Sequence, residues 1–258
     1  MIDVHCHLEQ KDYDKDRDEV IKRAKEKGLK AIITCCAHPE DFEKTIEIVK
    51  AYRGFVFAVA SVHPEYAKDI SNETLEEYFE KLVRNKHNLV GIGETGLDYY
   101  WIKEAEWREK QKEWFRKHIE LAKNLGLPIV IHSRDAANDT IEILEEENAK
   151  RVHWHMFGEP KLLQRVIDNG WYVSMNAIVL RSKKHKKVVR DVPLERIMLE
   201  TDSPWLAIEK GMRNEPTTIV EVAKKIAEVK KVDFEVVWKQ AAMNAIRFYG
   251  LPIKLEKK

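Results

Sequence analysis

The sequence is short of the features that mark several protein classes. It has three cysteines, Cys6, Cys35 and Cys36, an odd number with two adjacent in sequence. That arrangement argues against a disulfide framework and for a reducing, cytoplasmic setting. No run of 18 apolar residues occurs and the opening residues lack a basic, apolar, small-residue signal pattern, so neither a membrane span nor a membrane partner is expected. Neither sign of charge dominates. Lys+Arg number 45 and Asp+Glu 44, a net charge of +1, so any affinity for a polyanion has to come from local patches. No glycine-rich phosphate-binding turn follows the first apolar strand, which speaks against a doubly wound dinucleotide fold. No linker-like or low-complexity stretch divides the 258 residues.

What is present is a rhythm. Eight apolar, strand-like runs, "IDVHCH", "KAIITCC", "FVFAVASV", "LVGIGE", "PIVIHSR", "RVHWHMF", "WYVSMNA" and "RIMLETD", alternate with charged stretches of helical periodicity. Helices are expected over 16–27, 40–52, 72–84, 104–125 and 140–148, with Gly28 and Gly126 placed as left-handed C-caps. Repeated β-α units of this number and length predict an α/β fold, a (β/α)8 TIM barrel, as a single domain over 1–258 with extra C-terminal helices at 216–229 and 234–249.

The polar residues of such a barrel matter most where strands end, because barrel sites form at the C-terminal ends of the strands. Seven of the ten histidines (His5, His7, His38, His63, His132, His153 and His155) lie in or just after the apolar runs. His5 and His7 share one strand face, as do His132 and Arg134, His153 and His155, and Glu200 and Asp202. Glu94 is the first charge after the fourth run. One strand histidine is usually a hydrogen-bonded core residue, and one strand-end carboxylate usually a cap or loop residue. Five strands delivering His, His, Glu, His, His and Asp to one rim is different: burying them unpaired is costly, and a pair of metal ions satisfies them together. His118, with Trp114, Leu121 and Leu125 at helical spacing, reads as core.

Together "DVHCHL", "SVHP", "GETGLD", "PIVIHSRDA", "HMF", "ETDSP" and "RNEP" resemble the TatD-related deoxyribonuclease family of metal-dependent hydrolases, within the amidohydrolase superfamily, over nearly the whole chain. The resemblance implies that His5, His7, Glu94, His132, His155 and Asp202 bind metal. Their nitrogen and oxygen donors suit two divalent ions, Zn, Mn or Mg. Asp3, His153 and Glu200 are expected behind the ligands: Asp3 lies two residues below His5 and could accept its imidazole N–H, and Glu200 could do likewise. A purely structural polar network is the alternative for these three. Two departures from the family pattern, Glu65 in "SVHPE" and "HMFGEP" after strand six, fall in loops expected to touch substrate.

Two ions at such a centre activate a water and stabilise charge on the attacked group, and Asp202 is expected to accept the water's proton as the catalytic residue. Arg134 offers a planar donor fork to a phosphate, or pairs with Asp135 or Asp139; His63 contacts substrate or caps the loop before Pro64. The leading reading is a deoxyribonuclease cleaving phosphodiester bonds from the end of single-stranded DNA. Tyr99, Tyr100, Trp101 and Trp205 would stack a terminal base, and "LRSKKHKKVVR" (180–190) would track phosphates or form a solvated helix face. An ester or amide hydrolase, such as an aminoacyl-tRNA deacylase, is the alternative, and a non-catalytic metal-bound scaffold a further one. Nothing in the sequence points to an obligate protein partner.

Overall fold

Val, Ile and other apolar residues crowd the strand runs because each parallel strand is buried on both faces, by helices outside and by its neighbours' side chains inside. In the computed structural model, which describes residues 1–255, this yields one eight-stranded parallel sheet in sequence order. Its strands are β1 (Ile2–Cys6), β2 (Ala31–Cys36), β3 (Val56–Ala60), β4 (Leu89–Asp98), β5 (Ile129–Arg134), β6 (Val152–Trp154), β7 (Tyr172–Met175) and β8 (Ile197–Leu199). The last three residues of the expected 1–258 domain lie outside the described ones.

The sheet closes on itself just past the end of β8. The Asp202 N–H donates to the His5 carbonyl (2.9 Å) and the His7 N–H to the Ser203 carbonyl (2.7 Å). Three expected ligands, His5, His7 and Asp202, therefore sit on the seam.

Helices α1 (Arg17–Glu26), α2 (Phe42–Ala51), α3 (Asn72–Arg84), α4 (Ala105–Leu125), α5 (Ala137–Glu146), α6 (Leu163–Asp168), α7 (Lys183–Asp191), α8 (Ile219–Lys230) and α9 (Phe234–Tyr249) follow the strands. In α3, the Ser71 hydroxyl accepts the Thr74 N–H and Leu75, Tyr78, Phe79 and Leu82 turn inward at helical spacing. Helix α5 begins three residues earlier than expected. Thr140 does not start it, because its hydroxyl bonds back to the Ala136 carbonyl within the helix (2.9 Å). The six-residue α6 is too short to show a periodic pattern, and residues 216–218 form a 3-10 turn ahead of α8.

Three strands depart from their apolar runs in ways that matter to the site. Strand β4 continues four residues beyond Glu94, whereas β6 and β8 stop at Trp154 and Leu199, so that His155 and Asp202 stand on the loops beyond. At the opposite end, α9 plugs the barrel: Ala242, Ala245, Phe248 and Tyr249 pack with Ile2, Val4, Ala31, Ile33, Val130 and Met198.

Candidate metal centre

The strand ends converge on a cleft of about 390 Å³ lined by His7, His63, Glu94, Asp98, His132, His155 and Asp202, with Trp101, Arg134 and Trp205 at its mouth. Glu94 stands at its centre. Its Oε2 lies 3.1 Å from His5 Nε2, while its Oε1 lies 2.7 Å from His132 Nδ1 and 3.7 Å from both His63 Nε2 and His155 Nε2. Asp202 closes the opposite side, with Oδ1 at 3.5 Å from His7 Nε2 and 3.7 Å from His5 Nε2, and Oδ2 at 4.0 Å from His155 Nε2. The structure thus brings all six expected ligands together.

Backbone features hold these groups where they are. β4 presses against β5 beside His132, and a Cβ on Gly96 (φ +139°) would stand 2.1 Å from the His132 carbonyl oxygen, so only glycine fits there. Glu94 and Asp98 consequently flank one imidazole. Asp202 adopts φ 58° and Met156, beside His155, φ 46°. A left-handed conformation is uncommon outside glycine, and it concentrates here where side chains must be aimed into the cleft.

Several metal-binding atoms in the cleft have no aligned protein partner. His5 Nδ1 is buried without a hydrogen-bond partner, and His5 Nε2 and His7 Nδ1 lie 3.1 Å from Glu94 Oε2 and 3.3 Å from Glu9 Oε1 without hydrogen-bond alignment. Leaving such atoms unpaired costs about 1–3 kcal/mol each. Four imidazoles and two carboxylates, with Glu94 facing one group of nitrogens through each oxygen, fit divalent first-row metals.

The charges respond to one another as this requires. Burial alone would push Glu94 up, yet the imidazoles of His155, His5 and His132 hold its carboxyl well below the usual range. Asp202 is held down in the same way, burial being outweighed by His7, His155 and His5. Conversely, burial would lower His132, but Asp98 and Glu94 raise it to about 9, and Glu200, Glu94 and Asp202 raise His155 to about 10. Without a cation, protons occupy the nitrogens that would bind one.

Behind the ligands the structure departs from expectation in places. Asp3 does not accept an imidazole N–H. Its carboxylate takes the Thr201 N–H (3.0 Å), the Thr201 hydroxyl (2.6 Å) and the His5 backbone N–H (3.3 Å), tying the β1 and β8 ends together. Glu200 Oε2 does pair with His155 Nδ1, at 2.9 Å. His153 lies deeper, between Tyr249 and Ser174. Two carboxylates that sequence reasoning missed join this layer: buried Asp98, whose Oδ2 is 2.9 Å from His132 Nε2, and buried Glu9, which accepts the Thr34 hydroxyl (2.7 Å) next to His7. A signal existed for both, since His5, His7 and Glu9 alternate, as do Glu94, Gly96 and Asp98.

At the mouth, Arg134 pairs with neither Asp135 nor Asp139. Its guanidinium lies over the Tyr100 ring at 3.7 Å from the centroid, while Asp139 accepts from Tyr99 and Lys112. Tyr99, so engaged and covered by Arg108, has no free face for a base. Trp101 and Trp205 are 58% and 47% exposed, and Trp205 stands edge-on to His7. His63 Nδ1 accepts the Glu65 N–H (3.2 Å), the capping role, while its Nε2 faces Glu94. His118 is core, bonded to the Trp114 carbonyl. In α7, His185, Val188 and Val189 are buried, Lys183 and Lys187 are exposed, and Lys184 pairs with Glu159; none of these lines the cleft. "RNEP" proves to be a brace: Arg213 grips Asp16, and Asn214 bonds the Thr201 and Pro204 carbonyls of the loop that carries Asp202.

The sequence matches the family described as TatD related DNase over residues 2–250. It is 35% identical to deoxyribonuclease TATDN3 of Homo sapiens, over 96% of this chain and 94% of that protein. It is 37% identical to the uncharacterized metal-dependent hydrolase YabD of Bacillus subtilis, over 97% and 99%. Among solved structures, YJJV, a TatD homolog from Escherichia coli K12, superposes with a TM-score of 0.90 at 24% identity, covering 98% of each chain.

Proposed function

The chain belongs to the TatD related DNase family, and from that premise we propose that it is a deoxyribonuclease that hydrolyses phosphodiester bonds from the end of single-stranded DNA, using two divalent ions. One observation supports this most strongly. Six donors from five strand ends converge on one cleft with Glu94 at its centre, where His5 Nε2 lies 3.1 Å from a carboxylate oxygen without hydrogen-bond alignment.

His5, His7 and Asp202 would hold one ion and His132 and His155 the other, with Glu94 shared between them. When bound, the ions supply Lewis acidity at the phosphate and favour ionisation of the attacking water. Asp202, half-buried at the cleft and held ionised, takes the proton of that water at a carboxylate oxygen. Asp98 and Glu200 hold the far nitrogens of His132 and His155. Arg134, spread over Tyr100, donates its fork to a phosphate oxygen, and the exposed faces of Trp101 and Trp205 take a terminal base. No helix among the described residues is long and apolar enough to cross a membrane, and three buried free cysteines suit a reducing cytoplasm.

The test offers metal-reconstituted enzyme labelled single-stranded DNA, duplex DNA, aminoacyl-tRNA and simple esters in parallel. Stepwise shortening of the single strand without ester turnover is expected. Ester or aminoacyl-tRNA turnover without phosphodiester cleavage would overturn the reading in favour of the ester hydrolase.

A further inference from the structure

A buried column of polar side chains runs from the floor of the barrel to the metal centre. Tyr249, in the last turn of α9, has its hydroxyl 2.6 Å from His153 Nδ1, and His153 Nε2 is 2.5 Å from the Ser174 hydroxyl. Ser174 donates to Glu200 Oε2, which also meets His155 Nδ1 at 2.9 Å, and Asn176 donates to Glu200 Oε1 (3.0 Å). All are buried, His153, Ser174, Asn176 and Glu200 completely.

We propose that Tyr249 is a positioning residue for the metal centre: by donating to His153 it steadies Ser174 against Glu200, the carboxylate that holds His155 Nδ1. The inference rests on His155 being a ligand, as read above.

The direction of every hydrogen follows from the ends of the column. A carboxylate only accepts, so the Ser174 proton points at Glu200. The Ser174 oxygen then accepts, which requires a proton on His153 Nε2. Neutral imidazole carries one proton, so His153 Nδ1 accepts and Tyr249 donates to it. Burial, with Cys35 and Glu200 nearby, pushes the Tyr249 phenol well above its ordinary range, so the donor keeps its proton. At the upper end, His155 donates from Nδ1 to Glu200 and turns towards Glu94 and Asp202 an Nε2 that gives up its proton when a cation binds. A tyrosine at the far end of the barrel is thereby tied by hydrogen bonds to a histidine at its mouth.

Removing only the hydroxyl, in Tyr249→Phe, leaves His153 Nδ1 buried without a donor. The Nε2–H form persists, because Glu200 still takes the Ser174 proton, but the ring loses one of its two tethers and with it the firm hold on Ser174 and Glu200. Long-range proton–nitrogen NMR on protein labelled with nitrogen-15 in histidine reads this directly, and in metal-free wild type His153 is expected wholly as the Nε2–H form. Tyr249→Phe should keep that form, move the Nδ1 nitrogen-15 shift towards that of an acceptor nitrogen with no hydrogen bond, and weaken zinc binding, measured by chelator competition, by about three- to tenfold. Ser174→Ala should weaken zinc binding to a similar extent. Tyr78→Phe, which removes a buried hydroxyl beside Cys36 and away from the column, should leave both readouts unchanged. A protonated Nδ1 on His153 in wild type, or wild-type zinc affinity in a folded Tyr249→Phe, would overturn the proposal. The tautomer is read without metal, so its outcome stands apart from the assignment of His155 as a ligand.

Discussion

The two ends of the barrel solve opposite problems. At the floor, Ile2, Ala31, Phe248 and Leu251 exclude water by apolar packing, where volume matters and direction hardly does. At the mouth, His5, His7, Glu94 and His155 are buried as well and His132 and Asp202 half-buried, yet each atom must meet a partner of opposite character within a few ångströms. The lesson is that equal burial means unequal tolerance: the floor loses stability by increments, whereas the mouth loses function when one charge is misplaced.

Perturbing each end in turn sharpens that contrast. Asp202→Asn keeps size but removes the charge and the proton acceptor, and should cut turnover about 100-fold or more with substrate binding much less affected. Glu209→Gln, a carboxylate outside the centre, is the control. Normal turnover at normal metal occupancy would remove Asp202 from the mechanism.

Asp98→Asn should lower metal affinity about 10- to 100-fold, the range for a carboxylate that orients a ligand histidine. Chelator competition measures it. An unchanged affinity would make the His132–Asp98 pair incidental.

Protons offer a gentler probe. His132 and His155 titrate near 9 and 10 without metal, so both carry protons at neutral pH that a cation must displace. Affinity should therefore rise with pH between 6 and 8, about tenfold per unit for each proton released, and level off above those two values. Calorimetry in buffers of different ionisation enthalpy counts the protons directly. A flat profile would contradict the arrangement of charge at the mouth.

Neutralising Lys183, Lys184, Lys186 and Lys187 together should weaken single-stranded DNA binding several-fold and flatten its salt dependence, with metal affinity unchanged. An unchanged salt slope would make α7 a solvated face only. At the floor, Ile2→Val should cost about 0.5–1.5 kcal/mol in denaturant titration and leave metal affinity at the wild-type value. If it weakened the metal site, the two ends would not be separable.

How much of this was readable in advance follows the same divide. The β-α rhythm is a pattern of apolar residues and survives errors of a few positions, as the early start of α5 illustrates. The six proposed ligands stood out because histidines and acids are rare inside apolar runs. Asp98 was hidden by one boundary: ending the fourth strand at Glu94 put it in a loop, whereas the real β4 carries it on the same face. Asp3 stayed open between an imidazole acceptor and a structural network because a two-residue spacing places a side chain on a face without naming its partner; it proves to be the latter, with Thr201 198 positions away. Tyr249 and His153 are 96 positions apart, and no local pattern announces such a meeting.

The seam carries one more implication, for a chain as it is being made. Asp202 and the Ser203 carbonyl reach His5 and His7 only after almost two hundred intervening residues have been laid down. A nascent chain ending anywhere short of that point holds at most five of the six donors and an open sheet edge. The clasp that closes the barrel also completes the proposed set of metal ligands, so on that reading hydrolytic competence begins only once the first strand has met the last.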